Sequence, residues 1–234
     1  MCETCGCQNL AHEHNHEPEN RIINMAKDVM EYNNAFAAEN RKWFAEKKIT
    51  ALNLLSSPGA GKTTLLAATI KGLQNTLPSA VIEGDQETEI DAQRIRDTGV
   101  KVVQINTGKA CHLDAHHVGH AAQELLLADG SLLFIENVGN LVCPAAFDLG
   151  EKKKIVILSA TEGEEKPLKY PYMFAAADVM IISKIDMAEY TDFDFALCEG
   201  YARKINPDLR IFRVSAKTGE GMASWLDWLK QEGK

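Results

Sequence analysis

No apolar run in this 234-residue chain approaches the roughly 20 residues that a membrane-spanning helix requires. Insertion into a membrane is therefore not expected. Positive charge is also in deficit. The 25 Lys and Arg residues stand against 33 Asp and Glu, a formal net charge of −8. That balance argues against nucleic acid and against anionic lipid as partners, since both are held by basic surfaces. The N-terminus lacks the basic-then-apolar order of a secretory leader, so a cytoplasmic location is expected. No internal repeat divides the chain. What is present, 45% hydrophobic residues over this length, suffices for one well-buried core.

Cysteine is sparse in the body of the chain and crowded at its start. Cys2, Cys5 and Cys7 fall close to the N-terminus, whereas Cys111, Cys143 and Cys198 are scattered. Disulfides among the first three would close short, strained rings and gain little loop entropy. In a reducing compartment such crowding points to metal. Three soft thiolates, with the terminal amine as a fourth donor, suit nickel in a planar geometry and zinc in a tetrahedral one, and spacing leaves both open. His12, His14 and His16 alternate with Glu13, Asn15 and Glu17. In an extended chain they face one side, as a weak metal store or as a solvated linker.

Residues 1–20 show no apolar period and are expected to form a flexible metal-binding tail. Residues 21–48 read as a helical segment, with a break expected near Asn33-Asn34. From residue 49 to 234 short apolar runs alternate with helical patterns. The expected strands are Thr50–Leu55, Ala80–Glu83, Val102–Ile105, Leu132–Ile135, Ile155–Leu158, Val179–Ile182 and Ile211–Val214. Between them lie helices expected at Thr63–Gln74, Glu89–Asp97, Ala115–Leu127, Phe193–Lys204 and Met222–Lys230. Continuous apolar strands alternating with helices imply an α/β fold, a mostly parallel sheet flanked by helices.

The stretch Ser56–Thr64 joins the first strand to the first helix of this domain. Gly59 and Gly61 let backbone amides turn inward around phosphate, and the following helix aims its N-terminal dipole at the same oxygens. Ser57, Ala60 and Thr64 complete the cradle. Lys62 reaches the β- and γ-phosphates, and the Thr63 hydroxyl can bind magnesium. Ser56 stands where the first glycine of this pattern is usual. Glu136 and Asp85 each end a strand and can hold magnesium, and Asp85 can instead position the attacking water or cap the next helix. Gly139 offers an amide to the γ-phosphate. No arginine finger is evident, and spacing does not assign Arg94 or Arg96 to that role.

After a later strand, Ser183-Lys184-Ile185-Asp186 reads as a guanine-recognition element. Asp186 can accept from the guanine N1 and exocyclic amine, and Lys184 can lay its stem along the base. Adenine would leave that carboxylate unpaired, which discriminates by roughly 10⁴–10⁵. Ser183 replaces the more usual Asn. Ser215-Ala216-Lys217 supplies the second loop beside the base. A second metal set is visible in Cys111-His112 and Cys143, with water, His116 or a second subunit as candidate fourth donor. The alternative makes both cysteines ordinary small core residues.

With these residues in order, the chain resembles the HypB family of hydrogenase nickel-incorporation GTPases. The resemblance rests on Met1–Cys7, Ser56–Thr64, Glu83–Thr88, Cys111-His112, Glu136–Gly139 with Cys143, and Ser183–Asp186. It implies a P-loop GTPase of the SIMIBI-like, metal-insertion branch, turning GTP over slowly to GDP and phosphate. It implies nickel at Cys2, Cys5 and Cys7, and zinc or nickel at Cys111, His112 and Cys143. It also implies a GTP-dependent homodimer in which Lys166 or Lys169 of one subunit meets the guanine of the other. The partners implied are the nickel chaperone HypA and a hydrogenase large-subunit precursor. Nickel storage with a regulatory G domain, and urease maturation, are the competing functions.

Overall fold

The computed structural model describes residues 17–85 and 89–233, with side-chain surroundings from residue 27 onward. Cys2, Cys5, Cys7, His12, His14 and His16 lie outside the described residues. The strands are β1 Thr50–Ser56, β2 Ser79–Asp85, β3 Lys101–Asn106, β4 Leu132–Glu136, β5 Lys153–Ser159, β6 Val179–Ser183 and β7 Arg210–Arg213. They form a 7-stranded sheet in the order β3-β2-β4-β1-β5-β6-β7. Every neighbouring pair is parallel. The longer helices are α1 Glu17–Glu46, α2 Lys62–Leu73, α3 Ile90–Arg96, α4 Ala115–Glu124, α9 Phe195–Ile205 and α10 Met222–Glu232. Shorter ones fill the connections: α5 Cys143–Ala146, α6 Lys166–Lys169, α7 Pro171–Ala176 and α8 Ala188–Thr191.

The strands are apolar throughout because both sheet faces are covered. Leu52 and Leu54 of β1 pack with α2 and α10, including Trp225 and Trp228. Their neighbours turn to the other face. Ala51 meets the layer that contains Phe44 of α1 and Val118 of α4, while Leu55 meets Met173, Phe174 and Cys198. Parallel pairing brings the carboxyl ends of β1, β2, β4 and β6 to one edge. From β1 the chain passes through α2 to β2 on one side, while β5 pairs on the other. That divergence opens the crevice in which ligands of open α/β sheets bind.

The strand positions agree with the sequence reading, though most strands run one or two residues further at an end. The added residues are largely polar ones that continue the backbone ladder. The last strand is shifted back by one residue, although the Val214 amide still bonds the Ile182 carbonyl at 2.8 Å. Helix α4 stops before Leu127, and Leu126 adopts a φ of 47° beyond it. Short helices α5 to α8 were not anticipated, because four to six residues carry no readable period.

The expected break at Asn33-Asn34 does not occur: α1 is one continuous helix, and it also crosses the boundary drawn at residue 20. Asn disfavours helices when its side chain competes for nearby backbone. Here the buried Asn33 amide is engaged elsewhere. Its Nδ2 donates to the Asp148 carbonyl at 2.8 Å, and its Oδ1 accepts from the Ala115 amide at 2.9 Å. Asn40, two turns on, donates to the carbonyls of Ala115 at 2.7 Å and Leu149 at 3.0 Å.

Candidate functional site

The turn between β1 and α2 borders a cleft of about 540 Å³, lined by the phosphate loop together with Glu83, Asp85, Glu136 and Gly139. Gly59 and Gly61 have φ of 78° and 87°. At Gly61 a Cβ would also stand 3.3 Å from Lys184 Cε, so a side chain there is opposed by both backbone and packing. Ser56 in place of glycine is explained by its position. It is the last residue of β1, paired with Ile157, and needs no left-handed backbone. Ser57 donates its hydroxyl to Glu162, which also accepts from the Ser159 amide at 2.9 Å.

Lys62, the first residue of α2, donates to the Asn137 carbonyl and lies 3.8 Å from Glu136. Thr63 Oγ1 donates to Glu136 Oε1 at 2.6 Å. Glu83 and Glu136 are register partners on β2 and β4, which places two buried carboxylates side by side. Among the described residues, Oε2 of each is buried without a hydrogen-bond partner. Burial, followed by the negative charges of Glu136 and Asp85, pushes the Glu83 carboxyl up to about 8. Burial also raises Glu136, against the opposing pull of Lys62 and Thr63. Such a pair is stable in its charged form only beside a cation, so a hard divalent ion such as magnesium fits this end of the cleft.

Asp85 ends β2 and lines the same cleft. It is not the cap of α3, a position taken by Glu89. Glu83 and Asp91 also face the cleft without a sequence signal for it, and Arg94, which spacing leaves unassigned, faces it as well. Glu83 is hidden inside an apolar strand run. Asp91 and Arg94 are one helical turn apart and 3.4 Å from each other, a spacing common to many solvated helices. Arg96 turns instead toward Glu89, at 3.9 Å.

A second cavity of about 250 Å³ opens beside the first, bordered by Gly61, Leu65, Lys184, Asp186, Ala216 and Lys217. Lys184 adopts a φ of 54°, and its Nζ donates to the Gly59 carbonyl at 2.6 Å. Its stem therefore runs from the base cavity to the phosphate loop. Ser183 Oγ donates to the Ala60 carbonyl at 2.6 Å, so this residue ties the base element to the phosphate loop. Asp186 Oδ1 accepts from Ser215 Oγ at 2.7 Å, and that hydroxyl accepts from the Thr218 amide at 3.1 Å. Ser215 thus orients the carboxylate, a role for its side chain that spacing did not suggest.

Cys111, His112 and Cys143 are brought together, their ligand atoms all within 4.8 Å of one another. Both cysteines are half-buried, unlike the fully buried Cys198, so their exposure favours the metal reading of Cys111 and Cys143 over that of core residues. The hydrogen bond with Cys143, then burial, raises the Cys111 thiol, and burial lowers His112. Two sulfurs and an imidazole at this separation match the donor chemistry of zinc or nickel. His116 does not join them. It clusters with Asp114 and His117, and its Nε2 lies 3.2 Å from Nε2 of His120.

The two lysines expected at a partner's base differ in freedom. Lys166 is half-enclosed, paired with Glu162 at 3.1 Å. Lys169 pairs with Glu165 at 2.6 Å but its side chain is 60% exposed.

A family model described as "CobW/HypB/UreG, nucleotide-binding domain" matches residues 50–213. Hydrogenase maturation factor HypB of Azotobacter chroococcum mcd 1 is 58% identical to 92% of this chain, spanning 70% of that relative's length. The crystal structure of hydrogenase maturation factor HypB from Archaeoglobus fulgidus superimposes with a TM-score of 0.82 at 38% identity, covering 88% of this chain and 100% of that one. HypB from Helicobacter pylori in complex with nickel gives 0.81 at 38% identity, covering 86% and 95%. The chain belongs to the HypB family of hydrogenase maturation factors.

Proposed function

We propose that this chain hydrolyses GTP to GDP and phosphate, and that the cycle times delivery of nickel to a hydrogenase large-subunit precursor. The observation that carries this reading is continuity. Glu136 stands beside the Lys62 and Thr63 side chains, and the same segment runs seven residues on to Cys143, a member of the thiol–imidazole set. A nucleotide-sensing strand end and a metal set on one short segment suit a carrier whose grip depends on nucleotide.

In this reading the amides of Ser57, Gly59, Ala60, Gly61, Thr63 and Thr64 and the Lys62 ammonium bind and orient the phosphates. Thr63 and Glu136, with Asp85, hold magnesium, which when bound neutralises charge on the phosphate oxygens. Asp85 orients the attacking water and Gly139 meets the γ-phosphate. Ser183 braces the phosphate loop, Lys184 flanks the base, and Asp186, held by Ser215 beside Ala216 and Lys217, selects guanine. Nickel is the cargo, held first by Cys2, Cys5 and Cys7. Cys111, His112 and Cys143 take zinc or nickel at the interface of a GTP-dependent homodimer. Lys169 is the more accessible of the two lysines to a partner's guanine, since its side chain is 60% exposed while Lys166 is largely enclosed beside Glu162. Exchange with the chaperone HypA completes a cytoplasmic cycle.

Equilibrium dialysis of nickel against the full-length protein, with GDP and then with a non-hydrolysable GTP analogue at saturating magnesium, tests the reading. Delivery predicts a stoichiometry or affinity that changes with nucleotide. Identical binding in both states would favour storage with a G domain that only controls assembly.

A further inference from the structure

Asn137 is 1% exposed and sits between the phosphate site and the metal set. Its carbonyl accepts from Lys62 Nζ. Its side-chain Oδ1 accepts from the Leu113 amide at 3.1 Å and from its own neighbour Val138 at 2.9 Å. Its Nδ2 points to Asn53 Oδ1 at 3.3 Å. Leu113 is the residue after His112, so one side chain joins the lysine's backbone partner to the segment that carries two of the three metal donors.

A second contact reinforces this clamp. The buried Leu113 side chain lies over Gly84, where a Cβ would approach Leu113 Cγ to 2.8 Å. Gly84 separates Glu83 from Asp85, so the same leucine touches the strand end that borders the cation-binding part of the cleft. On its far side the segment is held rigidly. Ala115 is gripped through its amide by Asn33 and through its carbonyl by Asn40 of α1. Asn140 spans the remaining gap, its Nδ2 lying 3.4 Å from the Cys111 carbonyl and its Oδ1 accepting from the Val142 amide at 2.8 Å.

We infer that Asn137 is the positioning residue that transmits phosphate occupancy to the Cys111–His112–Cys143 set, an inference that rests on the nucleotide-gated reading above. Phosphate in the cradle competes with the Asn137 carbonyl for the Lys62 ammonium, and a γ-phosphate engages the Gly139 amide two residues on. Both act on the 136–140 segment. That segment's only buried amide side chain aimed at residue 113 is Asn137, so a shift there moves Leu113 against the anchor at Ala115. The donors at 111 and 112 then change their position relative to Cys143. A ligand shifts a conformational equilibrium only through contacts that differ between its states, and this bond is such a contact.

The test uses full-length protein carrying Cys2→Ala, Cys5→Ala and Cys7→Ala, so that only the internal set reports. Nickel affinity is measured by competition with a chromophoric chelator, in GDP and in a non-hydrolysable GTP analogue. The parent protein is expected to show a ratio of about 5-fold or more between the two states. Asn137→Ala is expected to bring that ratio to within about 2-fold of one while still binding nickel in GDP. A parent ratio of one would sink the gated reading itself. A normal parent ratio that survives in Asn137→Ala would overturn only the role given to Asn137. Should that variant fail to fold, hydrogen exchange of the Leu113 amide decides on the parent protein. Exchange that differs between the two nucleotide states supports the inference, and identical exchange overturns it.

Discussion

At Lys62 a single ammonium is shared between the Asn137 carbonyl and the Glu136 carboxylate. Lys62→Ala removes the one cation that reaches into the phosphate cradle from α2. Loss of a charge-assisted bond is expected to weaken GTP binding roughly 10–100-fold, measured by titration with a fluorescent nucleotide. Normal turnover in that variant would refute the placement of the site. Asp186→Asn changes base recognition by a different route. Ser215 keeps donating to the retained carbonyl oxygen, while the second carboxylate acceptor becomes an amide donor. Preference is expected to move from guanine to xanthine nucleotides in a competition assay, and retained GTP selectivity would mean that the base is read elsewhere. Much of this site was legible at residue scale, since Gly59, Gly61, Lys62 and Thr63 have one chemical use in that order. Glu83 was not, because a carboxylate within an apolar strand run shows its importance only when its register partner proves to be Glu136.

At the scale of elements, α1 is attached by polar side chains as much as by apolar ones. Asn40→Ala leaves the carbonyls of Ala115 and Leu149 without their donor in a buried seam. A cost of about 1–3 kcal/mol is expected, read as a lower denaturant midpoint at unchanged slope. Arg41 makes two bonds of 2.7 Å to the Asp148 carboxylate on the same seam. Burial would raise Asp148, yet Arg41 and the Gly150 amide together hold it below its ordinary value of 3.8. Its folded value lies below the unfolded one. The stabilisation is therefore complete above about 3.8 and is lost as pH falls through the folded value. Asp148→Asn is expected to flatten the acid limb of stability against pH, and an unaltered limb would show that the pair contributes nothing there. None of this was readable in the sequence, where Asn33-Asn34 suggested a helix break. The partners of Asn33 lie more than 80 residues away.

The molecule as a whole brings the cleft beside the phosphate loop and the Cys111–His112–Cys143 cluster to the same edge of one sheet. Cys143→Ala leaves the phosphate and base loops untouched and removes a thiol from the set. It is expected to abolish the nucleotide dependence of metal binding and to weaken association in the GTP analogue, read by sedimentation velocity. Unchanged metal affinity together with unchanged association would place both functions elsewhere. Lys169→Ala, on an exposed part of α6, is expected to reduce assembly in the GTP state without changing nucleotide binding by the monomer.

The sequence by itself determined the alternation of strands and helices and the phosphate loop, and pointed to Ser183–Asp186 as a guanine element. Each is a local pattern whose chemistry follows from residue type and spacing. Tertiary structure decided which strand ends stand together, because the order β2-β4-β1 is a matter of long-range pairing and not of local preference. It decided that Ser56 ends a strand, that Ser183 braces Ala60, and that Glu83 lies against Glu136. It also decided that Asn137 reaches Leu113, 24 positions earlier in the chain. A hydrogen bond between distant segments leaves no period or motif behind. Its partners become visible only once the backbone has folded and the buried polar groups must find one another.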